Sequence, residues 1–363
     1  MKVVLSVRSL LPSYGGPAVS VSRLALALAN AGAEVRLWAS DMSAANSPLL
    51  MQHPRLQSMT TPLAHAIDSF GRPDILHDNG MWLPHNHRLA ALALRGNFLR
   101  VVSTRGMLEP WAIDHKKLKK KLAWWLYQRR DLCRASFHHA TAPAEGRHLQ
   151  QLKLGVPVGV IANGVDEAHV ERAHRDRAEI RTALFLGRLH PIKGLSLLLD
   201  AWARLRPPGW QLQIAGPDEI GYRAELEGKV AAASLSRVVH FLGPLDGAAK
   251  ESAFSNADLF VLPSFSESFG MAIGEALARG IPVLTTTGAP WPMMARCGCG
   301  WSVPPTVEGI MEGLRQATSL DPIELAAMGE KGRRLVRREF AWSSVAEQFM
   351  MTYESLLMGK SLY

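Results

Sequence analysis

The sequence has few cysteines and no long apolar run. Three cysteines in 363 residues are too few for a disulfide framework, which is in keeping with a reducing compartment. No uninterrupted apolar stretch approaches the length needed to span a bilayer. The apolar N-terminus is broken early by Arg8 and Pro12, a pattern that favours a first β-strand over a secretory signal. These absences predict a cytoplasmic location.

Motifs for several classes of ligand are also missing. Cys297 and Cys299 have no further Cys or His at ligand spacing nearby, which argues against a metal site. The chain lacks the Gly-x-Gly-x-x-Gly dinucleotide fingerprint, and it lacks an Asp-x-Asp motif, which in some enzymes holds a cation on a diphosphate. An RNP-like aromatic strand, typical of RNA-binding domains, is absent as well. We therefore expect no metal, no cofactor and no nucleic-acid partner.

The residues that are present predict an α/β protein. Apolar residues make up 47% of the chain and charged residues 20%, which is typical of a globular protein, and the length suits two domains. Short apolar runs alternate with helical patterns in both halves, and this alternation indicates parallel sheets covered by helices. The predicted strands are 2–7, 34–39, 75–77, 101–104, 139–142, 183–186, 211–215, 238–242, 259–262 and 282–286.

Two cations lie in a loop that follows one of these strands. The loop runs from Gly187 to Gly194 and carries Arg188 and Lys193. The planar fork of Arg188 and the point charge of Lys193 can converge on one diphosphate. The alternative is a solvated turn whose lysine merely begins the next helix.

The segment from Glu267 to Glu275 is the most informative part of the chain. It follows the strand at 259–262 and leads into a predicted helix at 270–279. A helix that opens directly after a strand presents backbone N–H groups to an anion such as phosphate. Carboxylates on either side of that site can accept hydrogen bonds from sugar hydroxyls. The combination predicts a nucleotide-sugar site.

The Glu-x7-Glu spacing, with Ser-Phe-Gly after the first glutamate, resembles the retaining nucleotide-sugar glycosyltransferases of GT-B family 4 (group 1). The resemblance spans essentially the whole chain and implies two facing Rossmann-like domains, at 1–165 and 166–340. It also implies that a C-terminal helix at 341–363 crosses back to the N-terminal domain. The segment Asn163-Gly164-Val165-Asp166 resembles the family's interdomain linker, with Ala162 in place of the usual proline.

The resemblance also assigns roles at the donor side. It implies that Glu267 binds sugar hydroxyls near the reacting carbon, that Glu275 binds the ribose, and that Arg188 and Lys193 neutralise the diphosphate. Glu267, Arg188 and Lys193 are therefore the predicted catalytic residues. The predicted donor-binding residues are Gly15, Gly16, Ser268, Phe269, Gly270, Met271, Glu275, Gly216 and Gly243. The mechanism implied is same-face transfer in which the leaving phosphate takes the acceptor proton, with double displacement by a carboxylate as the alternative.

Three polar residues of the first half are candidates for the acceptor side. His77 ends one predicted strand and Asp78 follows it, and Arg105 follows another strand, so all three are expected at one edge of a sheet. Many family members carry a histidine where Arg105 stands. Arg105 could instead contact a phosphate or pair with Glu109, and Asp78 could assist an acceptor hydroxyl.

The net charge of +9 is concentrated in one segment, Lys116 to Arg134. Apolar residues recur there at helical spacing, and lysines fill the other face. A basic amphipathic helix with tryptophans can lie on an anionic membrane surface, which is what we expect here. The alternative is that Leu118, Leu122, Trp125 and Leu126 pack on the sheet and the lysines are solvated. The two are compatible if the lysines face the lipid headgroups. The pattern Arg-Gly-Met-Leu-Glu-Pro-Trp that begins at Arg105 resembles the family members that assemble surface polysaccharides. The expected acceptor is thus a saccharide or lipid-linked saccharide at the inner face of the cytoplasmic membrane.

Two other classes of function compete with this one. Nucleotide-sugar 2-epimerases share the two-domain fold, but their signature does not feature this glutamate pair. A non-catalytic protein that binds membrane or RNA would use the positive charge, yet it gives no reason for glutamates and glycines at strand ends. The leading hypothesis is a metal-independent, retaining hexosyltransferase of lipopolysaccharide or polysaccharide assembly.

Overall fold

The computed structural model describes residues 1–11, 14–46, 53–61, 65, 67, 70–109, 112–113, 117–168 and 180–359. The chain divides into two compact units. Unit 1 comprises Met1–Gly164 and Trp342–Tyr363, and unit 2 comprises Val165–Ala341. Lys116 and the last two residues of the pattern that begins at Arg105 lie outside the described residues.

Unit 1 is built on a seven-stranded parallel sheet in the order β3-β2-β1-β4-β5-β6-β7. Its strands are β1 (Lys2–Val7), β2 (Glu34–Ala39), β3 (Leu56–Met59), β4 (Ile75–Asn79), β5 (Leu99–Ser103), β6 (Phe137–Ala140) and β7 (Val158–Val160). Its helices are α1 (Gly16–Asn30), α2 (Pro84–Gly96), α3 (Lys117–Ala123), α4 (Arg129–Cys133), α5 (Pro143–Gln151) and the C-terminal α13 (Trp342–Leu357). A π-helical turn, Trp124–Gln128, joins α3 to α4.

The C-terminal helix belongs to the core of unit 1. Its residues Val345, Ala346, Phe349 and Tyr353 are buried at helical spacing. They join the cluster that includes Leu5 of β1 and apolar residues of α1. Burial of such an apolar stripe is the main force that holds a helix against a sheet.

Unit 2 is built on a six-stranded parallel sheet in the order β10-β9-β8-β11-β12-β13. Its strands are β8 (Arg181–Leu186), β9 (Trp210–Ala215), β10 (Val239–Gly243), β11 (Leu259–Leu262), β12 (Val283–Thr286) and β13 (Gly300–Val303). Its helices are α6 (Leu195–Leu205), α7 (Tyr222–Ala232), α8 (Gly247–Ser255), α9 (Met271–Ala278), α10 (Met293–Cys297), α11 (Val307–Ser319) and α12 (Pro322–Glu339). The change of connection between β8 and β11 puts the loops after these two strands side by side.

The predicted fold class, α/β with two Rossmann-like halves, is confirmed. All ten predicted strands are present, three with the predicted bounds and the others shifted by one or two residues at an end, while β3, β7 and β13 were not predicted. Within the described part of the chain, no helix is both long enough and apolar enough to cross a membrane.

Candidate functional site

The centre of the candidate site is an ion pair between Lys193 and Glu267 in unit 2. Lys193 ends a 3-10 turn after β8, and Glu267 lies in the loop between β11 and α9. The Lys193 Nζ lies 2.5 Å from Glu267 Oε1, and the Ser264 hydroxyl donates to the same oxygen at 2.6 Å. Both charged side chains are mostly buried. The two loops therefore bring together a cation and a carboxylate that the sequence assigned to diphosphate and sugar.

Backbone contacts fix the two loops against each other. The N–H of Phe265 donates to the carbonyl of Ile192 at 2.8 Å, directly beside the ion pair. Gly194 has a φ of +70°, and a Cβ there would lie 2.0 Å from the carbonyl oxygen of Pro263. Only glycine accommodates both the left-handed backbone and this close approach. The Lys193–Glu267 geometry thus depends on Gly194.

Two further predicted glycines lie at neighbouring strand ends. The N–H of Gly216, after β9, donates to the carbonyl of Gly243, which ends β10. A Cβ on Gly216 would lie 1.8 Å from the carbonyl oxygen of Gly187, so this position requires glycine. The arrangement keeps the loops after β8, β9 and β10 together at one edge of the sheet.

The segment after Glu267 opens helix α9. Gly270 occupies the N-cap position, and Met271 is the first helical residue. Phe269 is buried against Trp291 and Phe340, and its carbonyl accepts a hydrogen bond from the Trp291 indole at 2.5 Å. Phe269 therefore anchors the loop, whereas the backbone at Ser268 and Gly270 lies at the helix N-terminus.

The second predicted glutamate, Glu275, is paired with Lys250 of α8. The Lys250 Nζ lies 2.9 Å from each carboxylate oxygen of Glu275. Arg188 lies instead on the surface, where its guanidinium pairs with Glu219 at 3.2 Å. The structure thus joins Lys193 to Glu267 directly, and it gives Arg188 and Glu275 other partners.

Gly15 and Gly16 lie at the start of helix α1 in unit 1. Gly15 is the N-cap residue and Gly16 the first helical residue, and no side chain caps this terminus. The carbonyl of Gly15 accepts from Ala18 N–H at 3.0 Å. Among the described residues, a Cβ on Gly15 would meet no atom within 4 Å.

Arg105 is half-buried and held by three side chains of unit 1. Its guanidinium donates to Asn79 Oδ1 at 2.7 Å and to Asn163 Oδ1 at 2.6 Å, with Ser20 Oγ at 3.4 Å. Its φ of +52° is uncommon for a residue with a side chain. Burial lowers the pKa of Arg105 to about 10, against the opposing effect of Glu145, so it stays charged at neutral pH.

The loop that carries Arg105 is fixed by the buried carboxylate of Glu145. One oxygen of Glu145 accepts from Thr104 Oγ1 and from Gly106 N–H, both at 2.6 Å. The other oxygen accepts from the N–H and hydroxyl of Thr141 at 2.7 and 2.9 Å. Glu109, the other candidate partner of Arg105, pairs with His148 at 2.9 Å.

His77 belongs to a buried chain of hydrogen bonds. Its ring nitrogens lie 2.6 Å from the hydroxyls of Tyr353 and Ser103, and Ser103 Oγ lies 2.6 Å from His139 Nδ1. His139 Nε2 lies 2.7 Å from the carbonyl of Ile161, which can only accept. Burial lowers the pKa of both histidines, to about 4 for His139, so each neutral ring carries one proton. The bonds then run in one direction, from the Tyr353 hydroxyl to the Ile161 carbonyl.

Asp78 is also fully buried, and both of its carboxylate oxygens accept hydrogen bonds. Its carboxylate accepts from Arg100 at 2.7 Å, from Asn86 at 2.7 Å and from Ser6 at 3.0 Å. These partners hold Asp78 between the strands and helix α2, whereas His77 is held between the strands and helix α13.

The basic segment presents most of its apolar stripe to solvent. Leu118, Leu122, Trp125 and Leu126 are 84, 62, 82 and 66% exposed, so the alternative in which they pack on the sheet is wrong. The segment is attached through Leu132, which is buried in a core cluster, and through Trp124, which packs on that cluster. Polar contacts add to this, since Gln128 accepts from Trp82 N–H and Tyr127 donates to the Trp82 carbonyl. We call these four exposed side chains the Trp125 patch.

Several residues of these sites were not predicted from the sequence. They are Ser264, Lys250, Asn79, Asn163 and Glu145. The spacing of Ser264, three residues before Glu267, was the only local signal available. Among the described residues, no group of three or more His, Cys, Asp or Glu side chains is placed to hold a metal ion.

Two parallel sheets flanked by helices, with paired charges at the carboxyl ends of β8 and β11, define a GT-B type α/β protein. Comparison with protein families agrees. The model for glycosyl transferases group 1 matches residues 168–335, and the model for glycosyltransferase family 4 matches residues 14–169. The chain belongs to this glycosyltransferase family, as its motifs predicted.

Relatives and solved structures support the assignment. Phosphatidyl-myo-inositol mannosyltransferase of Mycobacterium tuberculosis is 33% identical over 222 residues, covering 58% of this chain and 57% of that protein. The chain thus matches little more than half the length of this relative. The fold resembles Anabaena HepE, solved with UDP and glucose (TM-score 0.75, 20% identity, 98% of this chain and 100% of that one). It also resembles WaaG, a glycosyltransferase involved in lipopolysaccharide biosynthesis (TM-score 0.69, 16% identity, 95% and 98%).

Proposed function

We propose that this protein transfers a hexose-type sugar, with retention, from a nucleotide sugar to a saccharide or lipid-linked saccharide acceptor. The product would enter cell-surface polysaccharide or lipopolysaccharide assembly. The observation that carries the proposal is the Lys193–Glu267 pair, with its 2.5 Å contact at the ends of adjacent strands. A cation and a carboxylate at this spacing can engage the diphosphate and the sugar of one donor.

The chemistry follows from the charges at this edge of the sheet. The leaving diphosphate gains negative charge in the transition state, and preorganised donors stabilise it most where water is excluded. Lys193 supplies one such donor, and Arg188 supplies another once it leaves Glu219. Glu267 orients the sugar, and the departing phosphate takes the acceptor proton, so no separate base is needed. Lys193 and Arg188 neutralise the charge of the diphosphate, a role that a bound metal ion fills in some enzymes. We therefore propose that the reaction requires no metal ion.

A binding screen tests the donor site. Thermal unfolding is measured with UDP, GDP, ADP and dTDP and their common sugars, with EDTA present. A ligand that binds only the folded state raises the melting temperature. One nucleotide that raises it with EDTA present supports the proposal, and no shift at millimolar concentration with any of them contradicts it. Glu267→Ala should then abolish transfer without abolishing nucleotide binding.

We further propose that the Trp125 patch and the surrounding lysines bind the anionic inner face of the cytoplasmic membrane. Lys117, Lys119 and Lys121 are exposed on the same helix as Leu118 and Leu122. Large apolar side chains are rarely this exposed in a group unless they contact a partner or a membrane. A helix with apolar and basic faces lies in the lipid interface, where leucine and tryptophan insert and lysine meets the headgroups. This would bring the protein to a lipid-linked acceptor.

Vesicle sedimentation tests the membrane proposal. Wild-type protein should bind vesicles that contain phosphatidylglycerol and should not bind phosphatidylcholine alone. The double variant Trp125→Ser/Leu126→Ser should lose about tenfold or more in affinity, given about 25 cal/mol for each Å² of apolar surface. Ile323→Ser is the matched control, because Ile323 is 80% exposed on α12. Vesicle binding that the double variant leaves unchanged would rule out insertion of the patch.

A further inference from the structure

Helix α8 places a lysine on the carboxylate of Glu275. Lys250 Nζ lies 2.9 Å from both carboxylate oxygens, so the ammonium sits symmetrically between them. Both side chains are partly buried, Glu275 more than Lys250. An ion pair in this setting is screened less by water than one on the open surface.

The geometry leaves Glu275 with capacity for a ligand. An ionised carboxylate has about four lone-pair directions. Lys250, hydrogen-bonded to Oε1 and equally near Oε2, lies on the side where the two oxygens accept in parallel. The outward direction on each oxygen remains, and one of these can accept a hydrogen bond from a ribose hydroxyl. Because Lys250 contacts both oxygens, it fixes the rotation of the carboxylate plane about the side-chain bond.

A second ion pair, between Glu251 and Arg279, lies beside this one and links the same two helices. Glu251, the next residue of α8, holds Arg279 through two hydrogen bonds of 2.6 and 3.0 Å. Arg279 lies just after α9 and also donates to the Glu275 carbonyl at 2.9 Å. The Glu251–Arg279 pair therefore already ties α8 to α9, and the tie does not require Lys250.

We propose that Lys250 is a positioning residue that orients Glu275 to recognise a ribose hydroxyl of the donor nucleotide. This inference rests on the proposed function, since it assumes a nucleotide at this site. It assigns to Lys250 the selectivity for a ribonucleotide over its 2′-deoxy counterpart. Loss of Lys250 also removes a positive charge, which weakens both nucleotides alike, so the ratio of their affinities isolates the orientation effect.

Calorimetric titration tests this ratio. Wild type, Lys250→Met, Lys250→Arg and the control Glu251→Gln are titrated with UDP, GDP and ADP and with the matching 2′-deoxynucleoside diphosphates. Lys250→Met should reduce the preference for the ribonucleotide by roughly fivefold to tenfold, a typical coupling between contacting residues. Lys250→Arg should retain most of the preference, and Glu251→Gln should retain all of it.

The outcomes separate this inference from the function on which it rests. If wild type binds none of the nucleotides, the proposed function fails. If wild type binds and Lys250→Met keeps the wild-type ratio, Lys250 is only a structural tie and the inference is overturned. A Lys250→Gln variant, measured in parallel, guards against misfolding of Lys250→Met, with melting temperature as the check.

Discussion

Substitutions of Lys193 and of Glu267 should have opposite effects on the binding of a nucleoside diphosphate. In the free protein the Lys193 ammonium is committed to Glu267 at 2.5 Å. A diphosphate must therefore compete with Glu267 for this cation. A hydrogen bond to a charged group contributes about 1.5–3 kcal/mol, so Lys193→Met should weaken nucleoside diphosphate binding by roughly 10- to 100-fold. Glu267→Gln should leave binding at least as tight as in wild type, because a neutral amide holds the lysine less strongly.

Transfer should be lost in both variants, because each removes a group needed in the transition state. Calorimetric titration with the diphosphate found in the screen measures the binding difference. Lys229→Met is the matched control, since Lys229 donates to a carboxylate of Asp200 at 2.8 Å and to the Ser196 hydroxyl at 2.6 Å. This second lysine, carboxylate and serine group lies between α6 and α7, and its loss should leave binding unchanged.

One result would refute the reasoning directly. If Glu267→Gln weakens diphosphate binding as much as Lys193→Met, the two residues do not compete, and the pair acts as a single structural unit. Lys193→Arg offers a further check, because it keeps the charge and should bind more tightly than Lys193→Met.

Two predictions concern the stability of unit 1. Tyr353→Phe leaves the buried His77 nitrogen without its donor and should cost about 1–3 kcal/mol, seen as a lower urea midpoint. Burial lowers the pKa of His138 and His139 to about 4, below the usual 6.5, so the unfolded chain binds protons first as the pH falls. Stability should be lost progressively between about pH 6.5 and pH 4, by on the order of 3 kcal/mol for each histidine. A urea midpoint that does not change over this range would contradict that account.

Much of the fold could be predicted because the central strands are continuous apolar runs. Leu259–Leu262 is buried at every position, and so is the Val283–Thr286 strand beside it. The missed strands lack this signal. Val158–Val160 has glycine at its centre and an exposed end, and Gly300–Val303 begins with glycine and is only partly buried. Short edge strands such as these form because a neighbouring strand offers free backbone N–H and C=O groups. The local sequence pattern does not show where such a neighbour lies.

The site was partly predictable for a related reason. Residues that follow parallel strands meet at one edge of the sheet, so the meeting of Lys193 and Glu267 follows from topology. The partners of Arg188, His77 and Asp78 depend on rotamers and on distant chain segments, and the sequence carries no such information. Helical periodicity showed that Leu118 and Trp125 share a face, but it could not show whether that face meets protein or solvent.

The ends of unit 2 have a practical consequence. Val165 forms a parallel bridge with Ala341, and its N–H donates to the carbonyl of Phe340 at 2.8 Å. In sequence, unit 2 is thus an insertion within unit 1, and its first and last residues are neighbours in space. A fragment cut at these two points would retain its own closing contact, together with Lys193, Glu267, Lys250 and Glu275. Nucleotide binding by these four residues can then be measured on a piece half the size of the protein that lacks the Trp125 patch.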